Sequence, residues 1–528
     1  MLTGNAKQRP FFNKTFIVFI NALIFTIAFN STILVQRYID YKSAGSKALY
    51  YALGEAIFAF VYAFPIIYVL SIPKLFFRLL LIAIYLSSGT AAYFIYSLNI
   101  TINPEIIAAF FESSQAEVKN LLSLKLIFVL MISFSLGLLC IFLLKIAQIE
   151  RAKDIRMIFI SSVFILGCLF GDSDWIANIL PYNILKQSGT YWLEKTSMVK
   201  KRSDIAQNYQ YNLDLQAAKD LNIVLIIGES ARSDHFSLSG YTRETNPLLA
   251  KEGENLIYYK DVTACYPLTR SAVSCMLTRA TRKDRSAARD ETSFIGIFKK
   301  LGFYTTWLGM QGTYTAIDAP YFDLAKEANK SLLLGTDVEL FSSEDSSLLP
   351  FVDKFYQQHP TGENLLILHT YGSHFHYEER YRDEFRKYTP VCQKKKFLSD
   401  MSHCTIEERI NSYDNSILYT DYFIKNIIDR LRDKKALVIY TSDHGESLGE
   451  EGRFLHGTHN ADEQVAVNMI FWASDKYIKA YPQQILNLRK LQNTAILHDY
   501  LFHTILGCSG IKSSIIDNNL NLCGENIK

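Results

Sequence analysis

Several features are missing from this 528-residue chain, and each absence narrows what it can be. No Gly/Pro/Ser-rich linker, low-complexity tract or internal repeat interrupts it, so repeat arrays and long flexible arms are excluded. Charge of one sign is not in excess: 55 Lys and Arg face 52 Asp and Glu, a net of +3, which gives no reason to expect a nucleic-acid partner. Cys-x-x-Cys does not occur, which argues against zinc binding through cysteine. No Ala-x-Ala-type cleavage site follows the first apolar run, so that run reads as a retained anchor rather than a signal peptide.

What is present divides the chain in two. Apolar runs cover roughly Thr15–Val35, Tyr50–Ile72, Leu75–Tyr96, Leu126–Leu144 and Met157–Phe170. The first four have the ~20 residues needed to span a bilayer. The fifth is short, with Trp175 to Leu180 available to extend it. Lys7, Arg9 and Lys14 precede the first run, Lys74 and Arg78 flank the junction of the second and third, and Lys145, Arg151, Lys153 and Arg156 lie between the fourth and fifth. Loops of opposite parity carry fewer cations, so the bias favours a cytoplasmic N-terminus. Five spans then put the C-terminal half on the far side of the membrane. The expected division is a five-helix transmembrane domain at 1–172, a membrane-surface connector at 173–217 with the basic cluster Lys200-Lys201-Arg202, and an exported domain at 218–528. Cys140 and Cys168 sit in the apolar runs as inert thiols. The other six, Cys265, Cys275, Cys392, Cys404, Cys508 and Cys523, fall as three pairs of near neighbours, which suggests disulfides in an exported domain.

From Leu221 onward short apolar runs alternate with helical stretches. Strands are expected at Leu221–Ile227, Tyr304–Leu308, Leu365–His369, Leu437–Tyr440 and Met469–Trp472, and helices at Ser293–Leu301, Leu348–Gln357 and Glu407–Asp433. Such alternation predicts an α/β domain with a mostly parallel sheet. Ligands in these sheets gather at the carboxyl ends of the strands. Glu229, His374 and the pair Asp443-His444 all follow such ends.

Each candidate also has a plainer reading. Glu229 can bind a cation or serve a helix-cap network. Asp443 and His444 are metal-type ligands, and Gly445 permits the turn that would let adjacent side chains converge. His374 and His376, then His456 and His459, are either site residues or solvated loop histidines. The stretch Cys265-Tyr266-Pro267-Leu268-Thr269-Arg270-Ser271 offers Cys, Thr and Ser as nucleophiles, while Thr269 alone would pass for a helix N-cap.

Taken together, Gly228-Glu229-Ser230, Thr269 four residues after Cys265 and six before Cys275, Asp443-His444, His374 and His456 resemble the membrane-bound phosphoethanolamine transferases. That family modifies bacterial lipid A and lipopolysaccharide and belongs to the alkaline phosphatase/sulfatase superfamily. The resemblance covers nearly the whole chain. It implies one zinc held by Glu229, Thr269, Asp443 and His444, with the Thr269 oxygen as nucleophile. It implies that His374 and His456 contact the phosphoryl group, transfer protons or hold a second zinc. It further implies a phosphatidylethanolamine donor, a lipopolysaccharide acceptor (lipid A, Kdo or core sugar), a phosphoethanolamine-threonine intermediate, and a monomer in the inner membrane with a periplasmic catalytic domain. Cys265 and Cys275 would bracket the nucleophile loop, and Cys392–Cys404 and Cys508–Cys523 would close short loops.

In the membrane half, Ile107 to Glu117 resembles the loop helix that completes the donor site. Ser113 can replace a family Thr hydroxyl there, and Glu117 matches an acidic residue that could pair with the donor ammonium; Ala109 cannot replace the family Asn amide. A family Lys expected near Thr315 is absent, the middle disulfide common in lipid A enzymes is missing, and Cys508 and Cys523 are extra. Three alternatives stand. Cys265-x-Pro267 resembles the start of the sulfatase formylglycine motif Cys-x-Pro-x-Arg, although Arg270 comes one place late. A phosphoglycerol transferase of the lipoteichoic acid type shares the five-span plan but not the paired cysteines. A non-catalytic membrane assembly protein could keep an inactive domain.

Overall fold

The computed structural model describes residues 13–40, 47–98, 100–112, 121–147, 149–170, 179–197, 202–311, 320–334, 344–392, 404–458 and 461–524. Two compact units divide the chain, one mostly up to Glu194 and the other mostly from Lys195.

The first unit is helical: α1 (Lys14–Asp40), α2 (Ala48–Leu70), α3 (Leu75–Leu98), α4 (Pro104–Glu112), α5 (Leu124–Lys145), α6 (Arg151–Phe170) and α7 (Tyr182–Ser197). A helix satisfies its own backbone polar groups, which a bilayer interior cannot do for it. Among the described residues four helices are long and apolar enough to cross a membrane, at Lys14–Val35, Leu49–Leu70, Leu75–Leu98 and Leu124–Lys145. The fifth expected span is α6, whose first turns carry Arg151, Lys153, Asp154 and Arg156 and leave a shorter apolar stretch. These four helices make the chain a membrane protein. Its helices pack α1 on α2 and α3, α2 on α6, and α3 on α5. Gly89 lets α3 approach α5 closely, because a Cβ there would lie 2.0 Å from the Ser133 Oγ. Asn30 is buried yet satisfied: its Nδ2 donates to the Leu180 carbonyl at 3.1 Å and its Oδ1 accepts from the Leu180 N–H at 2.8 Å.

The second unit is α/β. Besides two small two-stranded ribbons, its main strands are β1 (Leu221–Gly228), β2 (Leu256–Thr263), β3 (Tyr304–Gly309), β4 (Lys330–Leu333), β5 (Asn364–His369), β6 (Lys435–Ser442), β7 (Ala466–Ala473) and β8 (Ile496–Leu497). They form one sheet in the order β8-β2-β7-β6-β1-β5-β3-β4. Five neighbour pairs are parallel, and only β7 runs antiparallel to its neighbours β2 and β6. Every residue of β1 is buried. Ile223, Leu225 and Ile227 pack on one face and Val224 and Ile226 on the other, so both faces are covered, as a parallel sheet requires. The five strands and three helices expected from the sequence are present within two residues of their bounds, except that β7 begins three residues earlier. The covering helices include α8 (Thr269–Leu277), α9 (Leu349–Gln358), α10 (Ile406–Leu431) and α11 (Asp499–Cys508). The six cysteines of this unit pair as Cys265–Cys275, Cys392–Cys404 and Cys508–Cys523, and Cys140 and Cys168 are free.

Candidate active site

Strand order builds the site. β1 and β6 are parallel neighbours with Gly228 opposite Ser442, so the residues that follow, Glu229 and Asp443-His444, emerge side by side. The Asp443 N–H donates to the Gly228 carbonyl at 3.0 Å and fixes that register past the strand end. On the other side of β1, β5 leads into Thr370 to His374. Gly372 sits there with φ +47°, and a Cβ on it would lie 2.7 Å from the Glu229 carbonyl oxygen. A buried Asp345 carboxylate accepts the N–H groups of Tyr371 and Gly372 at 2.7 and 3.0 Å and pins this turn under Glu229. Ser230 has φ +58°, an uncommon conformation for a non-glycine residue. The Tyr413 hydroxyl stabilises it by donating to the Ser230 carbonyl at 2.6 Å and accepting from the Arg232 N–H at 2.8 Å.

Thr269 is not the cap of its helix. Leu268 occupies the cap position without a side-chain hydrogen bond, and Thr269 is the first residue of α8. Its hydroxyl is therefore free to face the strand ends. It donates to Glu229 Oε2 at 3.0 Å and lies 3.2 Å from His444 Nε2. The Cys265–Cys275 disulfide ties the preceding loop to the end of the same helix. His444 Nδ1 lies 2.8 Å from the Gly445 carbonyl, which can only accept, so Nδ1 carries the proton and the Nε2 lone pair points at Thr269.

These atoms fit a metal ion. His444 Nε2 is 3.5 Å from both Glu229 Oε1 and Asp443 Oδ2. A tetrahedral ion with bonds of about 2.0–2.2 Å separates its ligands by roughly 3.3–3.6 Å. Asp443 Oδ1 accepts from the Ser230 and His444 N–H groups, but Oδ2 is buried without a hydrogen-bond partner. A buried carboxylate oxygen of this kind is costly unless it faces a cation. The second group of close ligand types, Cys265, Cys275 and Asp499, fits no metal, because both sulfurs are in a disulfide.

Electrostatics agree. Burial opposes ionisation of Glu229, but in acid the protonated imidazoles of His444, His374 and His456, with a hydrogen bond from Ser230, outweigh it and hold the carboxyl well below its usual range. Asp443 goes the other way, raised by burial and then by the Glu229 charge. Burial pushes His444 down to about 3 and His374 to about 4, so both are neutral near pH 7. Adjacent buried carboxylates with neutral imidazoles lack positive charge.

His374 and His456 both join the site. Their rings are 6.1 Å apart, and His456 is 4.2 Å from His444, centroid to centroid. His456 Nδ1 lies 3.1 Å from a buried Glu446 carboxylate, and a ligand atom of His456 falls within 4.8 Å of those of Glu229 and His444. His376 turns toward Glu378, at 3.6 Å, rather than into the site. His459, Ser113, Glu117 and Thr315 lie outside the described residues. Two contributors were not singled out in the sequence. Gln311 Nε2 donates to Glu229 Oε2 at 2.7 Å and to the Thr370 carbonyl at 2.8 Å. Glu446 orients His456. Gln311 opens the segment that lacks the family Lys, and Glu446 follows Asp443-His444-Gly445, so position offered a hint in each case.

A family model described as Sulfatase matches residues 221–511, the span that carries all of these groups. The chain belongs to the sulfatase family. Within this sulfatase-family chain, a model described as Phosphoethanolamine transferase EptA/EptB matches residues 59–180. The Kdo(2)-lipid A phosphoethanolamine 7''-transferase of Salmonella typhimurium is 34% identical over 361 residues, which are 65% of this chain and 62% of that protein. The phosphoethanolamine transferase EptA of the same organism is 29% identical over 83% of each chain. The integral membrane lipooligosaccharide phosphoethanolamine transferase A of Neisseria meningitidis shares the fold, with a TM-score of 0.81 at 22% identity over 97% of this chain and 98% of that one. The resemblance read from the motifs thus holds for both halves. Sulfatase-type activation of Cys265 does not, because its sulfur is bonded to Cys275.

Proposed function

We propose that the protein transfers phosphoethanolamine from phosphatidylethanolamine to lipopolysaccharide through a covalent bond to Thr269. One observation carries the reading: the Thr269 hydroxyl, released from helix capping, lies 3.0 Å from Glu229 and 3.2 Å from His444 at the edge of the sheet. Glu229, Asp443, His444 and Thr269 would hold one metal ion, and their N/O donor set and spacing suit zinc. When bound, zinc lowers the pKa of the hydroxyl and offsets phosphoryl charge.

In the first displacement the Thr269 Oγ1–P bond forms and the P–O bond to diacylglycerol breaks. In the second, an acceptor oxygen attacks phosphorus and Thr269 is released. Glu229, itself held by Gln311, orients the attacking oxygen from one side. The N-terminal end of α8 favours the phosphoryl anion. His456, held by Glu446, is assigned proton delivery to the departing oxygen, and His374, whose Nδ1 is buried without a partner, is assigned a contact to the phosphoryl group. Basic residues at one end of the helices support an inner-membrane protein with a cytoplasmic N-terminus and the catalytic unit in the periplasm. Anchoring keeps the enzyme at the headgroup layer where the donor phosphate lies.

The test is Thr269→Ala in the full chain, assayed with phosphatidylethanolamine and lipopolysaccharide. Diacylglycerol release and transfer should both fall by more than about a thousandfold, while Glu229, Asp443 and His444 keep most of the zinc at saturating metal even if affinity weakens. Thr269→Ser should keep partial activity, because the hydroxyl survives and only the methyl that restricts χ1 is lost. Turnover by Thr269→Ala at the wild-type rate would refute the assignment.

A further inference from the structure

We propose that the helical unit binds an anionic phospholipid headgroup in a cavity at the end of the bundle where α1 and α3 begin and α2 and α5 end. The cavity measures about 170 Å³ and is lined by Lys14, Arg78 and Lys145 together with Ser71 and an apolar wall that includes Leu81 and Ile141. That volume is below the ~300 Å³ at which pockets enclose whole drug-sized ligands, so it suits a headgroup rather than a whole lipid. Each cation comes from a different basic stretch of the sequence, and the bundle brings the three to one place. Lys14 is buried and already paired, its Nζ 2.6 Å from Asp154. Arg78 and Lys145 line the same cavity without an acidic partner among the described residues. Three cations against one carboxylate leave two positive charges beside an apolar wall.

That combination selects its occupant. A phosphodiester carrying acyl chains satisfies both features, with its phosphate on Arg78 and Lys145 and the start of its chains along the wall. Free phosphate would leave the wall wet. A zwitterionic headgroup would bring an ammonium toward two cations. Basic pockets between transmembrane helices are recognised by this chemistry as lipid-headgroup sites. None of the groups around Thr269 takes part, so the site would hold a structural lipid rather than the donor.

The experiment is native mass spectrometry and thermal melting of the full chain in nanodiscs. The discs contain phosphatidylethanolamine alone, phosphatidylethanolamine with phosphatidylglycerol, or phosphatidylethanolamine with added inorganic phosphate. Wild type should retain phosphatidylglycerol on release from the disc, and its Tm should rise only in the phosphatidylglycerol arm. Arg78→Gln and Lys145→Gln should each cut retention about fivefold, and the double variant about 25-fold. Ile141→Trp, which fills the cavity without changing charge, should also displace the lipid. Lys153→Gln, an exposed cation outside the cavity, should not. Equal stabilisation by inorganic phosphate, equal retention by the double variant, or equal loss in Lys153→Gln would each overturn the proposal.

Discussion

The proposed reaction turns on a single hydroxyl, and its freedom comes from the residue before it. Leu268 cannot cap α8, so Thr269 keeps its oxygen for the cluster at the strand ends. Glu229, Asp443 and His444 were legible in the sequence because each directly follows an apolar strand, and strand ends are where such sheets place ligands. Gln311 was not, because its contact with Glu229 depends on β3 lying two strands away, which no local pattern reveals. Gln311 also bridges to the Thr370 carbonyl and so fixes which Glu229 oxygen faces Thr269. Removing an outer-shell partner of this kind costs about 10–100-fold in metal affinity or activity. Gln311→Ala should therefore weaken zinc binding by that factor in a competition titration with a chelator, and Gln311→Glu should not restore it, since a third carboxylate repels the second. Unchanged zinc affinity in Gln311→Ala would show that Glu229 needs no such support.

At the scale of elements, the long buried strands were readable and the rest of the sheet was not. β2 alternates partly buried and buried positions and then exposes Lys260 and Asp261, so it lacked the continuous apolar run that marked β1. β4 and β8 are too short for any periodicity to register. α11 shows what the C-terminal elements add. Its last residue, Cys508, is bonded to Cys523 across a separation of 15 residues. Replacing both by Ser should lower stability by roughly 3 kcal/mol in the chain-entropy model, read as a fall in Tm, and no change would mean the bridge does not form.

The same helix carries a pH-dependent contribution. Burial holds His503 down at about 4, and its Nδ1 accepts the Asp517 N–H at 3.0 Å, a bond only the neutral ring can accept. A histidine with a depressed folded pKa stabilises the fold above its unfolded pKa of about 6.5, and that stability is lost as pH falls toward 4. The loss is on the order of 3 kcal/mol at most. His503→Gln, which keeps an acceptor but cannot titrate, should lose less Tm than wild type between pH 7 and pH 4.5. Identical slopes would remove His503 from the account.

On the scale of the whole molecule, one chain joins a unit of long apolar helices to an α/β unit with a cluster of metal-type ligands, the arrangement the proposed transfer from a membrane lipid requires. Hydropathy made the apolar half legible in the sequence, and the resemblance joined Glu229, Thr269, Asp443, His444, His374 and His456; their distances came only with the sheet order. The most direct measurement is mass spectrometry of the intact chain after incubation with phosphatidylethanolamine and no acceptor. The account predicts one phosphoethanolamine on the peptide that contains Thr269, lost again when lipopolysaccharide is added. An adduct on Ser271 or Ser230 instead, or transfer to lipopolysaccharide with no protein-bound intermediate at any time point, would contradict it.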